Sequence, residues 1–342
     1  MTIISCLSHF CLLPLMIFLI KLIMMKKTIG IDLGGTNISM GIVSEAGKIL
    51  RRLSIPTKKF SAAADIINDI ISGIFNLLEQ EAANPSEIDL IGIGVPGIAD
   101  FDAGIVIYTP NLNMRNVPIK EIIESKVGIP VKINNDANCA ALGEALAGAA
   151  KGVKNAILLT LGTGVGSGII IDGKIYSGCN HSAGELGHAV IAVDGRKCGC
   201  GRNGCLEAYA SATALIKDAV DMLKSRPDSQ LHEICQGRLD EIDGKMIFEA
   251  AASGDICAKI VLERYIKYLG EGIITIVNIF RPEKIVLGGG IANAGDLLIA
   301  PVNEYIKGKC MGGNLIPVPP VVKAALGDDA GVVGAGRLIV NN

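Results

Sequence analysis

One arrangement of glycines and branched apolar residues occurs twice in this chain. It constrains the fold more than any other feature. "TIGIDLGGTNISMGIVSEAGKIL" at 28–50 runs apolar stretch, Gly-rich turn, apolar stretch, tight turn, apolar stretch, which predicts three successive strands. "AILLTLGTGVGSGIIIDGKIY" at 156–176 reads the same way, with Leu33-Gly34 falling on Leu161-Gly162 and "EAGK" on "IDGK" after a small gap. An internal duplication of this kind predicts two similar α/β halves, each opening with a β-meander whose first turn faces a shared cleft. The 342 residues are long for one domain and comfortable for two.

Between the copies, Ile66, Ile67, Ile70, Ile71, Ile74 and Leu78 recur at helical spacing within 62–78, and "IDLIGIGVPG" reads as a buried strand ending in a turn. Residues 129–150 predict a short strand and then a helix capped around Asn135 and Asp136. Further on, 256–279 has a long apolar helical pattern. "RPEKIVLGGGIANAGDLLI" predicts a strand, a triple-glycine turn and a helix, and "GDDAGVVGAGRLIV" a closing helix. No Ser- or Pro-rich linker separates flexibly tethered domains.

The net charge of −2 argues against a nucleic-acid or anionic-membrane surface. Ten cysteines in a chain this long do not make a disulfide-stapled secreted domain. Cys139, Cys179, Cys235, Cys257 and Cys310 sit singly and are expected to be small buried thiols in a reducing cytoplasm, whereas Cys198, Cys200 and Cys205 are clustered. The N-terminal stretch is apolar and ends at Lys26 and Lys27. It lacks the basic start and small-residue cleavage site of a signal peptide, and its Phe10–Met25 run, broken by Pro14 and Lys21, is short for a membrane span. The reading preferred over an anchor is that translation starts at Met24 or Met25, leaving residues 1–25 outside the fold.

"DLGGT" at 32–36 and "LGTGVG" at 161–166 place glycines where backbone N–H groups can point at phosphate oxygens. Neither is a P-loop, and neither is a dinucleotide-binding fingerprint, because each turn runs into a strand rather than a helix. Each alone could be a tight hairpin. Two copies in a duplicated frame, with "GGG" at 288–290 after a third strand, make the stronger case. Asp32 beside the first turn could hold Mg²⁺ through water or could simply form the turn. Asn134, Asn135 and Asp136 at a strand–helix junction could cap the helix, or could orient and deprotonate a polyol hydroxyl.

Taken together, "DLGGTN", "GVPG", "NNDANCAALGE", "LGTGVGSGIIIDGKIYSG", "GELGH" and "CGCGRNGCLEAYAS", in this order, resemble the ROK family of bacterial sugar kinases and related repressors over roughly residues 27–340. The resemblance implies an α/β fold of the duplicated actin/hexokinase-like (ribonuclease H-like) type, two domains with a cleft between the halves. Their expected extents are 26–150, carrying the first phosphate loop and the catalytic Asp, and 151–326, carrying the second loop, a zinc-binding loop and an adenosine motif. A C-terminal helix in 327–342 is expected to pack back on the first domain. The implied activity is transfer of phosphate from ATP, with Mg²⁺, to the 6-hydroxyl of a hexose, most similar to the members that act on glucose. Asp136 would be the general base, and Asn135, Glu185, His188 and Glu207, with Asn111 of "TPNLN", would bind sugar hydroxyls. Gly34, Gly35, Thr36, Gly162, Thr163 and Gly164 would cradle the ATP phosphates, while Gly288, Gly289 and Gly290 would approach the adenosine. A homodimer or larger assembly is implied as well.

The resemblance has two departures. Regulators of the family carry a helix-turn-helix of some 60 residues or more before the first loop, and here only the apolar segment precedes it. Members acting on glucose often have Trp shortly after "PNL", where this chain runs "PNLNMRN". Kinases of fructose, mannose or N-acetylmannosamine, a non-catalytic sugar sensor, and an actin- or chaperone-like ATPase are therefore the rival readings.

His188, Cys198, Cys200 and Cys205 are separated by nine, one and four residues, with glycines between the cysteines. Three soft thiolates and one imidazole suit tetrahedral Zn²⁺, the alternative being free thiols. Four protein ligands close the coordination sphere, so such a zinc is expected to be structural. An imidazole nitrogen on the metal leaves the other to donate to a sugar hydroxyl.

Overall fold

The computed structural model describes residues 27–226 and 228–338. The 1–25 extension, with its start-site and anchor readings, lies outside the described residues, as do residues 339–342. No helix among the described residues is long and apolar enough to cross a membrane.

The first copy forms strands β1 (Lys27–Leu33), β2 (Asn37–Val43) and β3 (Ile49–Pro56). Alternation is weak in β1 and β2 because both faces are covered, and Ile29, Ile31, Leu33, Ile38, Met40 and Ile42 are fully buried. Helix α1 (Ala63–Gln80) packs its Ile66, Ile67, Ile70, Ile74 and Leu78 against this sheet, with Ile71 partly buried at the margin of the same core and Leu77 fully buried as well. The "IDLIGIGV" run is β4 (Ile88–Val95). A small antiparallel sheet of β5 (Ile98–Asp100), β6 (Ile105–Tyr108) and β7 (Arg115–Val117) follows. Helix α2 (Ile119–Val127), β8 (Val131–Asn135) and α3 (Asp136–Ala147) complete the first half, whose main sheet has the order β3-β2-β1-β4-β8.

The second copy repeats this plan. Strands β9 (Ala156–Leu161), β10 (Val165–Ile171), β11 (Lys174–Ile175), β12 (Lys284–Gly288) and β13 (Val321–Lys323) take the equivalent order β11-β10-β9-β12-β13. The third strand of this copy is only two residues long, because the chain leaves the sheet at Tyr176 for the loop leading to Glu185. The helices α4 (Glu207–Ala210), α5 (Ala212–Leu223), α6 (Gln230–Ile234), α7 (Gly244–Ala252), α8 (Ile256–Phe280) and α9 (Asp296–Ile306) follow in chain order. Helix α8 is the anticipated long one. The Asp255 side chain caps it by accepting from Ala258 N at 2.7 Å, and its face of Val261, Tyr265, Leu269, Ile273 and Val277 fills the second core. The triple-glycine turn continues as a 3₁₀ turn over Gly290–Ala294 before α9 begins.

The closing helix α10 (Ala330–Gly336) returns to the first half and packs on α3 and β1. All of its residues are buried. Its approach depends on small residues. A side chain at Gly334 would strike the Cys139 carbonyl, one at Gly92 the Ala335 carbonyl, and one at Gly30 the Val332 carbonyl. A third apolar cluster, which includes Leu90, Cys139, Leu142, Leu158, Ile170 and Val286, joins the two sheets around α3.

Candidate functional site

Strands β1, β4 and β8 are adjacent and parallel, so their C-terminal ends open on one edge of the sheet. That edge brings Asp32, at the end of β1, to the same side as Asp136, the first residue of α3. Asn135 is the N-cap: its side-chain oxygen accepts from Ala137 N at 2.9 Å and Asn138 N at 3.2 Å. Asn134 Oδ1 accepts from Asn135 N at 2.8 Å and Asn138 Nδ2 at 3.0 Å, which fixes the junction.

The two carboxyls are electrostatically strained. Burial, then the charges of Asp136 and Asp328, pushes Asp32 up to about 7. Burial also raises Asp136, and the charge of Glu185 adds to this, while hydrogen bonds from Ala137 N–H and the Asn135 side chain pull it back. Glu185 is therefore near enough to Asp136 to act on it, from the opposite half of the molecule. Asp136 and Asp328 thus both act on Asp32 at this edge.

The glycine turns surround this edge. Thr57 Oγ1 donates to the Gly34 carbonyl at 2.7 Å, and Thr57 N donates to the Thr36 carbonyl at 2.8 Å, which pins the first turn. Asn111 lies beside it, with its Cβ 3.8 Å from the position a Gly35 side chain would take. The second turn is held from α5: Ala212 N donates to the Gly162 carbonyl at 2.8 Å and Thr213 Oγ1 to the Thr163 carbonyl at 2.8 Å. Gly288 pairs with Thr160, and Gly289, at φ 81°, presses its backbone against Leu161. A cavity of about 390 Å³ opens next to Gly290, walled by Ile291 and Leu297 on one side and by Lys245, Phe248 and Glu249 of α7 on the other. A smaller one of about 250 Å³, between Asn303, Lys307 and Pro317, touches none of these residues.

His188 ends a 3₁₀ turn over Leu186–His188, and its Nδ1 lies 3.6 Å from Cys198 Sγ. Cys200 Sγ and Cys205 Sγ are also 3.6 Å apart, and the four ligand atoms all lie within 4.8 Å of one another. A tetrahedron with metal–sulfur bonds of about 2.3 Å has edges of about 3.8 Å. Both the spacing and the donor chemistry fit Zn²⁺. Bridges between Val190 and Cys205 and between Lys197 and Asn203 fold the loop into a small hairpin. Arg196 clamps it to the helices beyond, pairing with Asp218 at 2.9 Å and lying 4.7 Å over the Tyr209 ring. Glu207 joins this loop to the second turn. One carboxylate oxygen accepts from Val165 N at 3.1 Å, and the other faces Cys198 Sγ at 3.4 Å.

The structure thus brings Asp32 and Asp136 to one edge with the Glu185 charge acting on Asp136, Asn111 beside the first turn, Gly164 against Glu207, and Gly289 against Leu161 at the start of the second turn. Four of the five solitary cysteines are buried, and Cys179 is not: it is exposed, in the loop that follows the tight turn at Gly178, φ 73°. Several residues near the site escaped the sequence reading. Asp328 lies in "GDDAG", read only as the lead-in to a helix. Phe248 had no local signal beyond its helical spacing. His181 meets Asp102 of the first half at 3.1 Å and the Phe101 ring at 4.9 Å between centroids. That pairing spans residues too far apart in sequence for any motif to reveal.

Two five-stranded sheets of one strand order, with carboxylates and glycine turns at their facing edges, define an actin/hexokinase-like fold of the sugar-kinase kind. Within that class the chain belongs to the ROK family, whose model matches residues 28–342. A glucokinase from Halalkalibacterium halodurans is 38% identical over 91% of this chain and 94% of its own length. The crystal structure of a ROK family glucokinase from Streptomyces griseus, in complex with glucose and AMPPNP, superimposes with a TM-score of 0.78 at 37% identity, covering 91% of this chain and 98% of the other. A xylose repressor from Caldicellulosiruptor bescii is 34% identical over 81% of this chain and 69% of its own length.

Proposed function

We propose that this protein is an ATP-dependent hexokinase that transfers the γ-phosphoryl group of ATP to the 6-hydroxyl of glucose, giving glucose 6-phosphate and ADP. The observation that carries this reading is the meeting of Asp136 with Asp32 and Glu185 at one sheet edge, beside two glycine turns. The glucokinase relatives, and the S. griseus enzyme seen with glucose and AMPPNP, support it.

In this mechanism Asp136 accepts the proton of the 6-hydroxyl and aims its oxygen in line with the γ-phosphorus. Its raised pKa makes it a stronger base than an exposed carboxylate, and its place at a helix N-terminus keeps the ionised form accessible. Asn135 spends its side-chain oxygen on the helix cap and one amide N–H on Asp136, which leaves the second amide N–H to donate to the sugar. Asn111, Glu185, His188 and Glu207 hold the other hydroxyls. Backbone N–H groups of Gly34–Thr36 and Gly162–Gly164 receive the phosphates, and Gly288–Gly290 with the adjoining cavity receive the nucleoside. Asp32 would hold the Mg²⁺ that accompanies ATP, which would supply charge neutralisation on the transferring group.

His188, Cys198, Cys200 and Cys205 would hold a structural Zn²⁺, which supplies no catalytic chemistry and fixes the tautomer and direction of the His188 ring. Residues 26–150 and 151–326 would act as the two jaws, with 327–342 returning to the first. Closure would exclude the water that otherwise competes as phosphoryl acceptor. The protein would act in the cytoplasm, where its thiols stay reduced, as a homodimer or larger assembly and without nucleic acid.

A second reading keeps the chemistry and changes the sugar. It is favoured by "PNLNMRN", which lacks the Trp common among glucose-specific members. A coupled assay of ADP release over glucose, mannose, fructose and N-acetylmannosamine separates the two. The first reading predicts the highest kcat/KM for glucose, and a preference of tenfold or more for another sugar would overturn it.

A further inference from the structure

The chain crosses between its two halves twice: at 148–155, from α3 to β9, and at 324–329, from β13 to α10. One side chain touches both crossings. Glu144, in the last turn of α3, is fully buried. Its Oε2 accepts from Ala149 N at 2.7 Å, in the first crossing, and from Ala325 N at 3.0 Å, in the second. Its Oε1 accepts from Leu326 N at 2.8 Å, also in the second. The Glu144 backbone carbonyl adds bonds from Gly148 N and Ala150 N at 3.1 and 3.0 Å.

A carboxylate buried among peptide N–H donors is costly unless each bond is made. A surface crossing needs no such device, since water satisfies its amides. The far end of the first crossing is fastened separately. Glu283, just before β12, accepts from Lys154 N and Asn155 N at 2.8 and 2.9 Å, so that end is moored to the second half. The first crossing thus runs from the Glu144 clip to the Glu283 clip, with Lys284 Nζ of the second half also donating to the Ala149 carbonyl at 3.0 Å, and the second crossing starts from the same Glu144 carboxylate.

We propose that Glu144 is the hinge pin of the molecule, a positioning residue that binds both crossings at one point so that the halves swing about a single axis when the cleft closes. The geometry also gives the pin leverage. Glu144 lies at the C-terminal end of the helix that Asp136 begins. At about 1.5 Å per residue it sits roughly 12 Å from the base along one rigid rod. Helix α3 packs on β10 of the second half as well as on α10. The β10 contact, where Gly168 lies against Ala137 and Ala141, is the surface along which α3 slides when a swing about Glu144 moves Asp136 relative to the loops of the opposite half. The catalytic consequence rests on the kinase reading; the pin itself does not.

Two measurements test the pin. Hydrogen exchange on the unliganded wild-type protein needs no turnover. If one carboxylate gates both crossings, the amides of Ala149, Ala325 and Leu326 open together and show protection factors within about threefold of one another. Protection that differs by more than about tenfold between the two crossings overturns the proposal, whatever the enzyme's activity. The second measurement compares wild type with Glu144→Gln well below both melting temperatures. The amide has one acceptor oxygen: in the place of Oε2 it keeps Ala149 and Ala325 but turns N–H₂ toward Leu326 N–H, and in the place of Oε1 it loses Ala149 and Ala325, so in either orientation the second crossing is loosened. The expected result is a rise of at least about fivefold in the ratio of glucose-independent ATP hydrolysis to phosphoryl transfer, with a smaller glucose-induced contraction in solution scattering. A variant that only melts earlier, keeping this ratio and contraction within about twofold of wild type, refutes the hinge role. If the variant does not fold, the wild-type exchange decides. Wild-type protein that phosphorylates no hexose would refute the kinase reading and leave the exchange result standing on its own.

Discussion

Asp136 helps to hold the Asp32 carboxyl at a pKa of about 7, from the neighbouring edge of the same parallel strands. Burial is the larger cause, and Asp328 adds to it. Near neutrality, therefore, the site without nucleotide keeps a proton that an exposed Asp would have lost.

The sign of the consequence for stability follows from proton counting. Between about pH 4 and pH 7 the unfolded chain has released this proton and the folded protein still holds it, so stability falls as pH rises through that window and levels off above it. Asp136, also raised, contributes in the same direction. The Asp32→Asn variant should lose most of this slope. It should be more stable than wild type at pH 8 without Mg²⁺ or ATP, by on the order of 2 kcal/mol, while losing phosphoryl transfer. Thermal unfolding across pH 5–8 checks this, and an unchanged slope in the variant would assign the titration elsewhere.

The cysteine loop should link metal content to sugar binding. Glu207 touches both Cys198 and the second turn, and His188 faces the same cluster. On the proposed reading, loss of metal would free two sugar ligands at once. Chelation, or Cys200→Ser, should weaken glucose binding by roughly tenfold to a hundredfold and lower the melting temperature in step with zinc loss. Metal-free protein with wild-type affinity and melting would show that the loop holds itself.

Helix α10 should tolerate no added methyl at its contact with α3. Gly334→Ala puts a carbon into the Cys139 carbonyl, backbone against backbone, where no side chain can move aside. The expected cost is about 3 kcal/mol or more, read as a lower midpoint in denaturant. Gly152→Ala offers a contrast: its φ of 89° still disfavours a side chain, yet nothing lies within 4 Å, so only the smaller backbone cost of about 1 kcal/mol applies.

Much of the fold and site was legible because it rests on local pattern. The duplicated meanders, the Ile-rich helix after them, the long helix at Ile256 and the Asn135 cap all follow from spacing within a few residues. The grouping of Cys198, Cys200 and Cys205 was visible for the same reason. What escaped depends on contacts distant in sequence. The brevity of β11 is set by the loop toward Glu185, and Phe248 shares a cavity with Gly290 only through the packing of α7. Glu144 looked like one more polar residue on a small-residue helix, because its partners at Ala325 and Leu326 are almost at the other end of the chain. Cys179 was misjudged because its neighbours Ser177, Gly178, Asn180 and His181 are polar or small and carry it in an exposed loop rather than in an apolar element.

The central claim is that Asp136 removes the proton from a sugar hydroxyl that ATP then phosphorylates. Its most direct test is the rate of glucose 6-phosphate formation from glucose and MgATP by wild type and by Asp136→Asn, with glucose affinity measured on both. Asn keeps the size and the hydrogen-bonding edge but cannot take the proton. The account predicts glucose affinity within about threefold of wild type and a kcat lower by roughly a thousandfold or more. A variant that turns over within about tenfold of wild type would contradict it.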